Sequence, residues 1–297
     1  MINGIVNVYK ESGFTSFDVV AKMRGIFHQK KIGHTGTLDP DAQGVLPVCL
    51  GRATKVCDLL TDKDKEYEAV MLLGMITDTQ DVSGTVLSRQ EVTASEDAVK
   101  TVITSFEGEY MQIPPMYSAL KVNGQKLCDL ARKGIEVERK ARPVTIHKIE
   151  ILEIDLPRVR MKVECSKGTY IRTLCQDIGE KLGCGACMES LLRTRVSEFR
   201  LDGALRLQQI EELVQREDFS FVQSVDSVFM QYDSAQVMEI AKKMVENGNR
   251  IPKEMICNMC QEKEQKCIRL YDWENRFIGL YAYMPQEQDF KPIKLFI

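Results

Sequence analysis

Long apolar runs are missing from this chain of 297 residues, and no stretch approaches the 18 or more that a spanning helix needs, so a helical membrane protein is excluded. The opening Met1-Ile2-Asn3-Gly4-Ile5-Val6-Asn7 lacks the basic and then apolar layout of a secretory signal, which makes the cytoplasm the expected compartment. Internal repeats and low-complexity tracts are absent, so solenoids and disordered arrays drop out. There is no G-x-x-x-x-G-K-[ST] phosphate cradle and no metal-ligand cluster, which removes the marks of an aspartate-dependent hydrolase. The ten cysteines, in a chain this long and without a leader, are expected to stay reduced. Cys184-x-x-Cys187 and Cys257-x-x-Cys260 have zinc-like spacing, but they fall in different expected domains and Cys267 leaves an odd count, so no metal site is expected.

What remains is a globular composition, 44% hydrophobic and 28% charged, in a chain long enough for two domains with separate cores. The net charge of −3 hides an asymmetry: Lys121 to Arg172 holds 13 basic against 7 acidic residues, whereas Leu201 to the end holds 12 against 16. A basic face within an acidic whole fits a polyanionic partner as well as a solvated, salt-bridged surface.

Periodicity predicts a strand from Gly4 to Lys10, then a helix capped by Ser16 that turns Phe17, Val20, Met23 and Phe27 inward. A second helix is expected from Arg52 to Leu60, and a strand from Glu66 to Leu73 with Tyr67, Ala69, Met71 and Leu73 on one face. Thr93-Ala94-Ser95-Glu96 reads as a capping box opening a helix that carries Val99, Val102, Ile103 and Phe106. Pro114-Pro115 interrupts the pattern, Asn123-Gly124 signals a hairpin, and a short helix from Lys126 stops at Gly134, so an inserted arm is predicted. It bears Lys121, Lys126, Arg132, Lys133, Arg139, Lys140 and Arg142, side chains suited to phosphates if they share a surface. Strands follow over Val144 to Ile154 and Val159 to Cys165. A helix opens after Lys167-Gly168-Thr169-Tyr170 and ends at Gly183, with Arg172 in its first turn, off the buried stripe and unfavourably placed for the helix dipole. Past Tyr232 the expectation is a helix from Asp233 to Asn247, ended by Gly248, and then strands near Ile268 to Tyr271 and Phe277 to Met284.

One segment concentrates chemistry: Gly33-His34-Thr35-Gly36-Thr37-Leu38-Asp39-Pro40-Asp41-Ala42-Gln43-Gly44-Val45-Leu46-Pro47. Its glycines permit close approach of a ligand to the backbone and Pro40 stiffens the chain just after Asp39, so the acid is held. A structural turn in which Asp39 caps its own backbone would use the same residue types.

Taken in order, Gly33-His34-Thr35-Gly36-Thr37-Leu38-Asp39-Pro40 with Gly44-Val45-Leu46, Lys65-Glu66-Tyr67, Pro114-Pro115 with Tyr117-Ser118-Ala119, Ala131-Arg132, Lys167-Gly168-Thr169-Tyr170-Ile171-Arg172 and Leu191-Leu192-Arg193-Thr194 resemble the motifs of the TruB family of tRNA pseudouridine synthases over nearly the whole chain. Three positions depart from the family pattern: Leu192 replaces the first of two arginines, Cys187 a histidine, and Cys128 an aromatic.

The resemblance implies an α+β fold with a mixed, mainly antiparallel sheet and flanking helices. It implies a catalytic domain over 1–230, an RNA-binding arm over 114–142 and a small β-rich PUA-like domain over 231–297. It implies cofactor-free isomerisation of uridine 55 in the tRNA T loop, with the base flipped into a closed pocket. By resemblance, Asp39 is the catalytic carboxylate, which attacks the nucleotide or removes a ribose proton. Arg172 would steady its charge. Tyr67 would lie against the uracil or in the core, Tyr170 and Leu191 would be pocket walls or core, and His34 would enter the RNA loop. The expected partner is the tRNA T arm, with no membrane and no obligatory protein partner, and the chain is expected to be monomeric. A non-catalytic RNA-binding module of the same fold and a guide-RNA-dependent synthase are the alternatives; the arm favours the stand-alone enzyme because it brings RNA recognition within the chain.

Overall fold

A computed structural model describes residues 1–258 and 267–297. Nine strands form the main sheet: β1 (Gly4–Lys10), β2 (Ile32–His34), β3 (Gln43–Leu50), β4 (Lys65–Leu73), β5 (Gly108–Gln112), β6 (Arg142–Asp155), β7 (Arg158–Cys165), β8 (Ala186–Val196) and β9 (Phe199–Arg200). Their order is β1-β3-β8-β4-β7-β6-β5, with β2 added to β3 and β9 to β8. All pairings are antiparallel except β8 on β3. The sheet is therefore mixed and mainly antiparallel, with helices packed on it.

Strand β4 shows how sequence builds this sheet. Its alternate residues Tyr67, Ala69, Met71 and Leu73 are buried while those between are half-exposed, because successive side chains point to opposite faces. The buried face meets Met161 and Val163 of β7 and the stripe Ile171, Leu174, Cys175 and Ile178 of the helix Ile171–Lys181. Each fully buried Met, Leu or Ile there contributes roughly 1.5–3 kcal/mol by leaving water. Gly183, in the left-handed region, ends the helix.

Several local expectations are corrected. The first helix, Ser16–Ile26, is capped by Thr15, whose side chain and Asp18 form the capping box; Ser16 faces inward instead. Val20, Met23 and Phe27 face inward as expected, but Phe17 is 63% exposed and Val19 joins the buried stripe instead. Ser95, not Thr93, caps the helix Glu96–Thr104. The expected helix over Arg52 to Leu60 is a 3-10 turn, Gly51–Val56, running into a short α-helix, Cys57–Thr61. The largest difference is at Asp233: Asp233–Val237 is a strand, and only Lys242–Glu246 is α-helical. Ala235 and Val237 alternate inward, and Cys267–Tyr271 and Ile256–Cys257 pair with this segment on its two sides, so sheet hydrogen bonds replace helical ones.

Among the described residues this second sheet has six strands, including Phe277–Met284 and Asp289–Leu295, the latter not foreseen from sequence. It has its own core around Val237, Ile251, Leu270 and Tyr281. A further cluster is shared between the two sheets: Phe296 and Leu280 pack with Phe229, Ile5 and Val45, and Lys55 Nζ donates to Leu295 O at 2.7 Å. Among the described residues, no helix is long and apolar enough to cross a membrane.

Candidate active site

The segment from Gly33 to Pro47 leaves β2 and returns as β3, and its loop is anchored from three sides. Ser16 Oγ accepts from Leu38 N at 2.9 Å and donates to Leu38 O at 3.3 Å. Lys10, with no exposed surface, donates to Pro40 O at 2.9 Å and Ala42 O at 2.6 Å. Burial lowers its pKa to about 8 against the pull of Asp39 and Asp41. Gly13 N donates to Pro40 O at 3.0 Å. The loop backbone is therefore held on both sides of Asp39, and the acid's own side chain is left free to face a partner.

That partner is Arg172. Its Nε lies 2.9 Å from Asp39 Oδ2 and its Nη2 donates to Asp39 Oδ1 at 3.1 Å, a two-point pair. The guanidinium is 5% exposed and the carboxylate 37%, so the arginine is the buried member and the acid reaches toward solvent. The remaining donors of Arg172 go to Thr79 O at 2.9 Å and Tyr117 O at 2.8 Å, and Asp81 Oδ2 lies 3.7 Å away. Arg172 thus gathers four segments: the acid loop, the turn at 79–81, the arm through Tyr117, and its own helix. Burial raises the Asp39 pKa; Arg172 opposes the rise and Asp81 adds to it.

The turn is itself built for this position. Gln80 has a left-handed backbone, φ 65°, and its Oε1 accepts from Thr173 Oγ1 at 2.8 Å, while Asp81 Oδ1 accepts from Thr79 Oγ1 at 2.7 Å and Ser83 N at 3.1 Å. Sequence reading missed Asp81, Thr79 and Lys10. The run Asp78-Thr79-Gln80-Asp81 was the available signal, but nothing in it points to an arginine 91 positions away.

Tyr67 and Leu38 share one core cluster with Ala42 and Ile171, which sets the tyrosine beside the acid loop. Tyr67 is 8% exposed, and burial raises its pKa to about 12. Leu191, half-buried against the same cluster, stands opposite Ala69. Tyr170 precedes the helix Ile171–Lys181, its backbone gripped by the side chain of buried Gln112: Tyr170 N donates to Oε1 at 2.8 Å and Nε2 donates to Tyr170 O at 3.1 Å. A cavity of about 300 Å³ lies at the base of the arm, lined by Tyr170 with Gln112, Pro114, Leu120, Arg142 and Lys167; Asp39 and Tyr67 are not part of its wall. His34 is half-buried on β2, its Nδ1 accepting from Gly36 N at 3.3 Å, and burial with nearby Arg193 pushes its pKa down, favouring neutral imidazole.

The arm carries the Lys121–Val122 and Gln125–Lys126 hairpin and the helix Leu127–Ala131. Lys121, Lys126, Lys133, Lys140 and Arg142 are exposed, and Arg132 is paired with Asp129 at 3.5 Å. Arg139 differs: it turns back to donate to Pro114 O at 3.2 Å and Glu136 Oε1 at 3.3 Å, tying the far end of the arm to its start. Cys184 and Cys187 are buried, and Cys260 lies outside the described residues.

A buried arginine paired in two-point fashion with a loop aspartate, beside a tyrosine on a mixed sheet, defines a class, and likeness to known proteins agrees on it. Residues 24–171 match the TruB family pseudouridylate synthase N-terminal domain, and residues 172–235 match the tRNA pseudouridylate synthase B C-terminal domain. The chain is 54% identical over 310 residues to tRNA pseudouridine synthase B of Lachnoclostridium phytofermentans, with 100% of both chains covered. It is 46% identical over 294 residues to that of Clostridium acetobutylicum, covering 99% of each. Among solved structures, a Cbf5-Nop10-Gar1 complex matches with TM-score 0.72 and 28% identity, covering 99% of this chain and 85% of that one. An H/ACA RNP bound to a substrate RNA containing 2'-deoxyuridine matches with TM-score 0.71 and 26% identity, with 99% and 85% covered. The chain belongs to the TruB family of pseudouridylate synthases.

Proposed function

We propose that this chain isomerises uridine to pseudouridine in tRNA, at position 55 of the T loop. The observation that carries the reading is the two-point Asp39–Arg172 pair, with a buried cation and a partly exposed acid, in a chain 54% identical to a tRNA pseudouridine synthase B. The reaction breaks the N1–C1′ bond and makes a C5–C1′ bond; N1 gains a proton and C5 loses one, so no electrons are exchanged and no redox cofactor is called for.

In this reading Asp39 is the carboxylate that attacks the nucleotide or removes a ribose proton, and Arg172 fixes its direction while offsetting the cost of removing water around it. Tyr67 lies against the extracted uracil, where an aromatic face replaces stacking worth about 1–3 kcal/mol, and its hydroxyl serves the ring proton. Tyr170 and Leu191 wall the pocket. His34 fills the space the base vacates in the RNA loop, a role suited to a neutral ring. Lys121, Lys126, Arg132, Lys133, Lys140 and Arg142 meet phosphates, and Arg139 shapes the arm that presents them.

The proposed division is a catalytic domain over 1–230 with the arm at 114–142, and a PUA-like domain over 231–297. The chain is proposed to act in the cytoplasm as a monomer, without guide RNA or protein partner. The test is to map pseudouridine in tRNA transcript before and after incubation with the purified chain alone. Conversion at position 55 supports the reading, conversion elsewhere overturns the site, and activity that appears only with added guide RNA and partners overturns the stand-alone assignment.

A further inference from the structure

Among the described residues, Arg193 is one of the largest side chains that are fully buried, at 1% exposure. It lies toward the C-terminal end of β8, the strand that bridges the two chemical halves of the site: its backbone is in register with Gly44 of β3 on one side and with Tyr67 of β4 on the other. The packing there is tight enough that a Cβ on Gly44, which has φ +106°, would come within 2.2 Å of Arg193 O. Such a central sheet position ordinarily holds an aliphatic residue, since burying a guanidinium is costly.

The cost is not offset by an acid. Among the described residues Arg193 has no carboxylate within ion-pair distance. Nε donates to Val45 O at 2.7 Å and Nη2 donates to Gly36 O at 3.3 Å, and on the neighbouring strand the guanidinium interacts electrostatically with the Tyr67 phenol. Gly36 and Val45 are the two ends of the segment that carries Asp39. A planar, fixed fork is suited to bracing both ends of a loop while touching a third group, and a compact ammonium is not. Because a guanidinium only donates, any hydrogen bond between the two would fall on the Tyr67 oxygen.

We infer that Arg193 is a positioning residue for the reaction, a buried cation that sets the Asp39 loop and the Tyr67 hydroxyl in one geometry. The inference rests on the proposed roles of Asp39 and Tyr67. Arg172 pairs with the acid itself, and Arg193 braces the backbone of its loop from the strand beside Tyr67. The positive charge also favours the ionised form of the Tyr67 phenol, partly opposing the burial that raises its pKa.

The test compares Arg193→Lys and Arg193→Met with the parent, measuring kcat and KM on tRNA transcript, thermal unfolding, and the titration of Tyr67 by NMR of ring-labelled tyrosine, with Tyr67→Phe assigning its resonance. The expected result for Arg193→Met is a fall in kcat on the order of 100-fold, as for loss of a preorganised donor, with an upward move of the Tyr67 titration. KM is expected to stay within about twofold, because the RNA-facing surface is untouched. Arg193→Lys keeps the charge but loses the fork, so it is expected to restore the Tyr67 titration while kcat remains below the parent. If Arg193→Met does not fold, Arg193→Lys in a cycle with Tyr67→Phe decides: non-additive losses in kcat support the inference, and additive losses overturn it. A folded Arg193→Met with the parent's kcat and Tyr67 titration overturns it as well. An inactive parent, or an active Asp39→Asn variant, would instead sink the proposed function, so the two failures are distinguishable.

Discussion

The sheet around Asp39 and the arm at 114–142 both carry charged residues, but they hold them in opposite ways. Arg172 and Arg193 are buried and direct their donors to backbone carbonyls drawn from distant segments. Lys121, Lys126, Lys133 and Lys140 are exposed, on and around a hairpin and a helix of five residues. The difference fits the two tasks proposed for these regions, which have different needs. A carboxylate acting on one bond must be aimed before the substrate arrives, because reorganising charge during the reaction raises the barrier. Phosphate binding gains from freely moving ammonium groups that adapt to a bulky polyanion.

The contrast can be broken at its strongest point first. Asp39→Asn keeps the shape of the loop and removes the acid, and kcat should fall on the order of 10⁴-fold or more, as when a catalytic unit loses a reacting member. Residual conversion in a quenched single-turnover assay at more than about a hundredth of the parent rate would defeat the assignment. Arg172→Met comes next: it removes the two-point pair and leaves the Thr79 and Tyr117 carbonyls without their Arg172 donor. A loss of roughly 100- to 1,000-fold in kcat is expected, with tRNA binding in a filter assay little changed.

The arm should answer differently. Lys133→Ala with Lys140→Ala should raise KM about threefold per lysine and leave single-turnover kcat alone, while the slope of log affinity against log salt falls by about 0.7 for each single-stranded phosphate that is no longer neutralised. A change confined to kcat would erase the distinction between the regions.

Acidity sharpens the comparison further. In its proposed role Asp39 must be ionised, and burial raises its pKa, so activity should be lost on acidification at a higher pH than the ordinary aspartate value of about 3.9. Asp81 adds to that rise, so in Asp81→Asn the acid limb of kcat/KM should move to lower pH. An upward move would contradict the electrostatic assignment. The smallest expected effect on activity belongs to Phe296→Ala, which opens the cluster shared by the two sheets. It should cost about 3–5 kcal/mol in urea unfolding and leave kcat within about twofold at 25 °C. Two separate unfolding transitions in the parent would show that the sheets do not share stability.

Much of the site was legible because its residues occupy locally unusual contexts. An acid between glycines and a proline, a tyrosine on a strictly alternating strand and an arginine at the wrong end of a helix dipole each stand out within about ten residues of sequence. Lys10, Asp81 and the role of Arg193 did not stand out, because a lysine ending a strand, an aspartate in a turn and an arginine within a strand are ordinary in one dimension. The Asp233 segment failed for the same reason: its backbone bonds go to Ile256–Cys257 and Cys267–Tyr271, far along the chain.

By itself, then, the sequence determined the alternating strands, the helix that starts after Tyr170, the hairpin arm and the family motifs, since these follow from side-chain period, turn chemistry and short-range bonding. The tertiary structure decided which charges are buried together. Arg172 meets Asp39 across 133 positions and Arg193 meets Gly36 across 157, and distances of that kind are set by strand order and by the desolvation that makes each remaining partner matter.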